Sequence, residues 1–398
     1  MRRHARPPVL LAYAAFVLIG VGSGGSGVLL AAQLSDYGVD RATIGITFFT
    51  GSAGFVLASL SSGALIHRFG VRIALAIGGG SCVLASSYLA THPPFVAFVT
   101  VQLAIGYSGG VLESALNTYL AALPDATRLL NQLHAFFGVG ALIGPVLAAW
   151  IVGFASWTVV YLVLAVAWVP LVAGVLVAYP RMHQAGPADA ADAPETPRPA
   201  SGPVRRGMLS TALRDRGVVF GAAMLAVYVG LEISMGNWGF SYLVQARALP
   251  RSLAGYAISG YWLGLTLGRF LISPLTVRIG VTTGGMMYAC LAGVAAAASM
   301  VWLSPAATLA SAALVLLGFF LGPIFPTTMA IAPRLTQARL VPTAIGVLNA
   351  ASVVGGSGLP WLAGALAQSA GIGILMPFAV TLALLQFVVW WPLANRIR

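Results

Sequence analysis

The 398-residue chain contains no lysine, only nine acidic residues and only two cysteines. Charged residues make up 8% of it and hydrophobic residues 59%. So little charge cannot cover the surface of a soluble protein of this length, and the composition points to a polytopic membrane protein. Cys82 and Cys290 fall in apolar segments of different halves, without His or Cys neighbours at metal-ligand spacing. That excludes a disulfide framework and leaves no expected metal site. No Walker motif, HExxH pair or nucleophile elbow occurs, so ATP-driven transport and membrane proteolysis lack support, and no cofactor is expected. All 21 basic residues are arginine and the formal charge is +12. A nucleic-acid surface would need a folded basic face. Here the arginines sit between apolar segments, as topology determinants do, and no nucleic-acid partner is expected.

What the chain has in quantity is long apolar runs. A helix needs about 20 apolar residues to cross a bilayer. Twelve spans are predicted, at roughly 9–31, 42–66, 72–91, 95–122, 131–155, 157–179, 217–245, 252–277, 282–303, 306–333, 341–369 and 372–394. The basic start followed by an apolar run from Val9 has the look of a signal peptide. No small-residue cleavage site follows, and it reads as a retained first span. Residues 180–216 contain AGPADAADAPETPRPASGPVRR, too polar and Pro-rich to bury a core, and read as a flexible linker. The expected organisation is an N-terminal six-helix bundle over 1–179, a linker over 180–216 and a C-terminal six-helix bundle over 217–398.

Orientation follows from the arginines. With the N-terminus inside, only Arg41, Arg247 and Arg251 fall in segments of the opposite face, and Arg269 lies within a span. The other seventeen lie on the side of the termini and linker. This bias predicts cytoplasmic termini and a cytoplasmic linker in the plasma (inner) membrane.

The halves echo each other. GALIHRFGVR (Gly63 to Arg72) follows the second span, and GRFLISPLTVRIG (Gly268 to Gly280) holds the matching place at the eighth. HAFFGVGALIGP (His134 to Pro145) in the fifth span is matched by NAASVVGGSGLP (Asn349 to Pro360) in the eleventh. Two six-helix halves with parallel correspondences are the organisation of a two-bundle secondary transporter.

GALIHRFGVR resembles the loop motif of the major facilitator superfamily, with His67 standing where that motif usually has Asp. Taken with GYSGGVLESALNTY, LHAFFGVGALIGP, YVGLEISMGNWGFSYL and GYWLGLTLGRF, the chain resembles the fucose:proton symporter-like branch, over everything but the linker. The resemblance implies an all-α fold of twelve transmembrane helices with pseudo-two-fold symmetry. It also implies proton-coupled uptake of a sugar or related neutral solute by alternating access, with Glu113 matching the coupling acid of the fourth helix. A first-helix acid usual in that branch is missing: residues 9–31 offer only Tyr13, Ser23 and Ser26 as polar groups, and Glu232 is the candidate to take over its role. Gly63, His67, Arg68, Gly70 and Arg72 are the expected gating motif. GVGALIGPVLAA (Gly138 to Ala149) resembles the fifth-helix motif associated with antiporters, which makes a proton-driven exporter of drugs or metabolites the second expectation. A membrane enzyme or sensor is the third; it would want a soluble catalytic domain or polar loops carrying His and Asp, and the only long loop is the linker.

Glu113 and Glu232 are the only acids inside apolar spans. A carboxyl group in hydrocarbon costs several kcal/mol unless protonated, paired or facing water, and ionisable groups there are functional by default. Asn117 lies one turn from Glu113 on the same face. Glu232 and Asn237 are five residues apart, about 140° around a regular helix, so they share a face only if the span breaks near Gly236. Trp238 and Tyr242 offer a flat surface for a sugar ring or cation, or else belong to an interfacial aromatic belt. Asn349 and Tyr261 complete the expected substrate contacts, with Trp262 a core residue. His134 reads as a helix-start residue. Arg269 is expected to pair with a carboxylate, to meet helix-end carbonyls or to snorkel, and is assigned to a structural gate. Two acids against one off-centre Arg argue against phosphate esters and for a neutral polyol or a cation. The glycines at 20, 22, 24, 25 and 27 read as a close-packing face. The chain is expected to work as a monomer in the bilayer, with the proton as coupling ion.

Overall fold

The computed structural model describes residues 6–179 and 203–397. The first half comprises α1 (Arg6–Tyr37), the short α2 (Arg41–Ile44), α3 (Ile46–Ala90), α4 (Phe95–Ala121), α5 (Ala126–Val152) and α6 (Trp157–Ala178). After α7 (Pro203–Arg214), the second half comprises α8 (Arg216–Gln245), α9 (Arg251–Arg278), α10 (Thr283–Leu303), α11 (Ala307–Leu321), α12 (Ile324–Leu335), α13 (Val341–Ala370) and α14 (Leu375–Ile397). No strand occurs among the described residues.

Two of these elements differ from simple crossings for identifiable reasons. α3 carries the second and third predicted spans as one run, and the backbone leaves helical geometry only at Gly70, with φ 80° and ψ 164°. That region strains any residue with a Cβ, so a single glycine turns the chain back across the membrane. The tenth span is divided into α11 and α12 around Gly322 and Pro323, where proline removes a donor from the ladder. With α3 counted as two crossings, and α11 with α12 as one, twelve helices span the bilayer, as predicted.

The expected linker is only partly described. Residues 180–202, with Arg181 and Arg198, lie outside the described residues, as do Arg2 and Arg3. Its C-terminal portion is the helix α7. Asp215 then caps α8, accepting from the Gly217 N–H at 2.8 Å, and Arg396 at the end of α14 reaches the same carboxylate at 3.3 Å.

Glycine sets the helix crossings. In a bilayer, helices associate by packing rather than by a hydrophobic drive, so small residues that let backbones approach dominate the contacts. A methyl group added at Gly140 of α5 would overlap the Val17 carbonyl of α1, and one at Gly106 of α4 would overlap the Gly51 carbonyl of α3. In the second half, Gly355 of α13 presses on Ala226 of α8, and Gly268 of α9 on Phe319 of α11. The first crossing pairs with the fifth and the second with the fourth; the seventh pairs with the eleventh and the eighth with the tenth. This repeated pairing is the pseudo-two-fold symmetry in physical form. The first-span glycines fit it as expected: Gly20 and Gly24 abut α5 and Gly27 abuts α8, whereas Gly22 faces open space.

The halves meet near the end of the bundle opposite the termini. Gly27 of α1 lies against Gly236 and Asn237 of α8, Gly255 of α9 against Pro145 and Ala149 of α5, and Gly45 against Trp361 of α13. At the other end a cavity of about 640 Å³ lies between them, lined by Asp125, Arg128, Asn131, Gln132, Ala135 and Phe270.

Candidate functional site in the crevice between the halves

α8 is helical without interruption from Arg216 to Gln245, and Glu232 stands at its midpoint. The Arg269 guanidinium of α9 donates from Nη2 to Glu232 Oε1 at 3.4 Å. The Arg269 side chain is 35% exposed and that of Glu232 11%, so the arginine forms the open edge of the pair. Tyr261 of α9 is buried, and its hydroxyl donates to the Glu232 carbonyl at 3.0 Å. Tyr228, one turn before Glu232, is fully buried with its hydroxyl unpartnered. Glu232 and Arg269, assigned separate roles from the sequence, are therefore one ion pair. Removing either partner leaves an uncompensated charge, at a cost that the exposed edge of Arg269 keeps below that of a fully buried pair.

Glu113 differs. It is partly buried on α4, and its carboxylate has no hydrogen-bond or ion-pair partner among the described residues. Asn117 lies one turn along, as expected, but its Nδ2 donates to the Glu113 backbone carbonyl at 2.8 Å and is tied to its own helix.

Asn237 lies where an unbroken helix was expected to put it, whereas Trp238 and Tyr242 are placed otherwise than the sequence suggested. Because α8 does not break at Gly236, Asn237 points away from Glu232. Its Oδ1 accepts from Ser26 Oγ of α1 at 2.7 Å, joining the halves. Trp238 is 1% exposed, stands edge-on to Phe48 and donates from Nε1 to the Pro360 carbonyl at 2.8 Å. Tyr242 is also buried and donates to the Val301 carbonyl. Neither aromatic forms an interfacial belt, because Tyr242 packs inside the second half and Trp238 is buried where the halves meet. The Trp238 face offered as a stacking platform is covered in this conformation.

Asn237 and Trp238 belong instead to a closure between the halves. Arg41 of α2 reaches the end of α13, donating from Nη1 to the Ala367 carbonyl at 3.3 Å and from Nη2 to Gln245 Oε1 at 2.8 Å. Trp361 Nε1 donates back to the Ala42 carbonyl at 3.1 Å. A cation on the last carbonyls of a helix is favourable by roughly 0.3–1 kcal/mol. Arg41→Ala is therefore expected to shift the population about fivefold toward a state opened at this end. Spin labels introduced at exposed Val96 and Leu303, both at the same end, check it. The variant gains a longer distance population if Arg41 latches the halves, and an unchanged distribution refutes the latch.

The remaining candidates are scattered. Asn349 is exposed on α13, and its side chain makes no hydrogen bond among the described residues. Trp262 is buried with Nε1 unpartnered. His134 is exposed and edge-on to Phe16, 5.6 Å between ring centres. In the loop motif, Gly63, His67 and Arg68 are exposed, Arg68 lies 5.2 Å over the Phe69 ring, and Arg72 has a buried, unpartnered Nε. No ion pair involves His67, Arg68 or Arg72 among the described residues. Gly70 alone has a geometric role, as the turn within α3.

Sequence reasoning missed the polar mouth formed by Asp125, Asn131 and Gln132. Tyr13, noted only as one polar residue of the first span, donates to Gln132 Oε1 at 2.8 Å and lines an adjoining cavity of about 280 Å³. Polar residues recurring near the start of α5 (Asp125, Arg128, Asn131, Gln132) were the available signal.

The family model of the Major Facilitator Superfamily matches residues 12–246. The yeast Saccharomyces cerevisiae "Bypass of stop codon protein 6" is 25% identical over 95% of this chain and 80% of its own length. A glucose/galactose transporter of Brucella abortus is 25% identical over 81% of this chain and 79% of its own. Among solved structures, a D-xylose–proton symporter superposes with a TM-score of 0.75 at 13% identity, covering 97% of both chains. The fucose:proton symporter of E. coli gives 0.59 at 17% identity, covering 97% of this chain and 98% of that one. These structural likenesses are likenesses of fold. Membership, the twelve-helix fold and the crevice between two symmetric halves agree: this chain belongs to the major facilitator superfamily and is a multi-pass membrane carrier, not an enzyme.

Proposed function

We propose that the chain takes up a small, neutral, sugar-like solute in symport with protons, by rocking of one half against the other. The observation that carries this reading is Glu113, an acid in an apolar helix with no partner among the described residues. A carboxyl group so placed is held in hydrocarbon most cheaply when protonated and gives the proton up when water reaches it. Glu232, neutralised by Arg269, is less suited to that role, so coupling rests on Glu113. The glucose/galactose transporter among its relatives supports a sugar as cargo. The arginine bias supports termini on the cytoplasmic side of the plasma membrane, which makes the present conformation open toward the cytoplasm and closed outside. Asn117 and Asn349 then face solute early, while Asn237 and Trp238 join the site only when the outer end opens. Export is not favoured, because Gly140 and Gly144 of the fifth-helix motif pack directly on α1, which accounts for those glycines by packing.

Reconstitution in liposomes with an imposed pH gradient tests the reading. Labelled D-glucose and D-galactose should accumulate when the outside is acidic, with proton influx. Exchange of cationic drugs against protons would replace symport by antiport, and silence toward every solute under either gradient would remove coupling altogether.

A further inference from the structure

Three features converge on the Glu232–Arg269 pair that its structural role alone leaves unexplained. The pair is long and monodentate, using one guanidinium N–H and one carboxylate oxygen. Among the described residues, Arg269 Nε is buried without a hydrogen-bond partner, and so is the Tyr228 hydroxyl. That hydroxyl faces both the Glu232 carboxylate and the Arg269 guanidinium, close enough for a weak hydrogen-bonding interaction with either but without a bond of normal geometry. Buried donors without partners are rare in folded proteins and each needs an explanation. Here two of them flank one acceptor, at the midpoint of α8.

The position suits a ligand. Arg269 is adjacent in chain to Phe270, which lines the large cavity, and its side chain is partly exposed. Thr266, about one turn before it, abuts Gly138 of α5, and His134 of α5 lies within electrostatic range of Arg269. The pair thus borders the crevice between the halves. α1, α11 and α13 bring no charged group here: α11 and α13 contain none, and those of α1 lie at its ends.

We infer that Glu232, Arg269 and Tyr228 form a recognition site for adjacent hydroxyl groups of a neutral polyhydroxy ligand. This rests on the sugar-like cargo proposed above and names the residues that read it. A ligand hydroxyl bridging the pair from its open side donates to the Glu232 carboxylate and accepts from the guanidinium, and its neighbour accepts from the Tyr228 hydroxyl. Each unpartnered donor then gains an acceptor. The preformed pair carries no net charge, so a neutral ligand enters without displacing either partner. A carboxylate ligand would have to compete with Glu232 for the same guanidinium. A site built to hydrogen-bond a hydroxyl rejects the analogue lacking it far more strongly than an apolar pocket can reject an extra one.

The test uses full-length protein in lipid nanodiscs, with binding read by calorimetry for D-glucose, D-galactose, their monodeoxy analogues, D-glucuronate and 4-hydroxybenzoate. Tyr228→Phe, which removes one oxygen and keeps the ring, should weaken hexose binding about tenfold. One monodeoxy sugar should bind the native protein equally weakly, yet lose nothing further in Tyr228→Phe, as a shared contact requires. A merely structural tyrosine would weaken all sugars alike. Arg269→Lys should weaken hexose binding in the same way while the protein stays monodisperse. Hexose binding unchanged in both variants overturns the site and leaves the carrier reading intact. Native protein that ignores hexoses but binds D-glucuronate or 4-hydroxybenzoate in an Arg269-dependent manner overturns both.

Discussion

If the proposed symport holds, Glu113→Gln is expected to abolish proton-driven accumulation and to leave downhill equilibration of the solute in place. Glutamine keeps the shape and hydrogen-bonding reach of the acid but cannot bind or release a proton. For one proton per solute, a pH difference of one unit supports about tenfold accumulation. The variant should lose all of it and settle at equal concentrations. Because the Glu113 carboxylate has no side-chain partner to strand among the described residues, the change leaves no orphaned charge there, and folding should be close to native. Accumulation ratios measured in reconstituted liposomes check this, with counterflow exchange as the control for intact alternating access. Accumulation that survives at the native ratio makes Glu113 structural and moves coupling elsewhere in the chain.

The largest stability effect is expected at Gly268. A methyl group there runs into the backbone carbonyl of Phe319 on α11, and a backbone atom cannot rotate aside as a side chain can. α9 and α11 must separate to accommodate it, losing packing along the whole crossing, and packing is the main attraction between helices in lipid. Overpacking of this kind costs roughly 1–3 kcal/mol or more. Gly268→Ala should therefore lower the midpoint of unfolding in a mixed-detergent titration, and Gly268→Leu should abolish a monodisperse state. Gly63→Ala is the matched control, since nothing lies within 4 Å of a Cβ there. Equal behaviour of Gly268→Ala and Gly63→Ala would refute glycine packing as the basis of the crossing.

The candidate site was legible only in part. Glu113 and Glu232 stood out because an acid inside an apolar span is expensive wherever it falls, a property visible without coordinates. That Glu113 lacks a partner while Glu232 has one was not visible. Glu232 and Arg269 lie 37 positions apart on different helices, and whether they touch depends on helix rotation and depth, which hydropathy does not record. Asn237 shows the converse. The helical period correctly placed it off the face of Glu232, but glycines that permit a break do not require one. Gly236 is helical because Trp262 and α1 pack against it. Trp238 illustrates a third gap: its exposure depends on whether the far end of the bundle is open, a property of conformation rather than of sequence.

By itself the sequence determined the twelve crossings, the division into two halves and their internal symmetry. The reason is that lipid imposes one-dimensional rules: each span must be long, apolar and self-satisfied in its hydrogen bonds. It also marked the acids and the glycine faces. Only the tertiary structure decided which polar groups meet, because in a helix bundle a side chain's partner is set by the azimuth and height of two packed helices. It made Glu232 and Arg269 a pair, left Glu113 alone, turned the chain at Gly70, and used Arg41, Asn237 and Trp238 to close one end of the crevice.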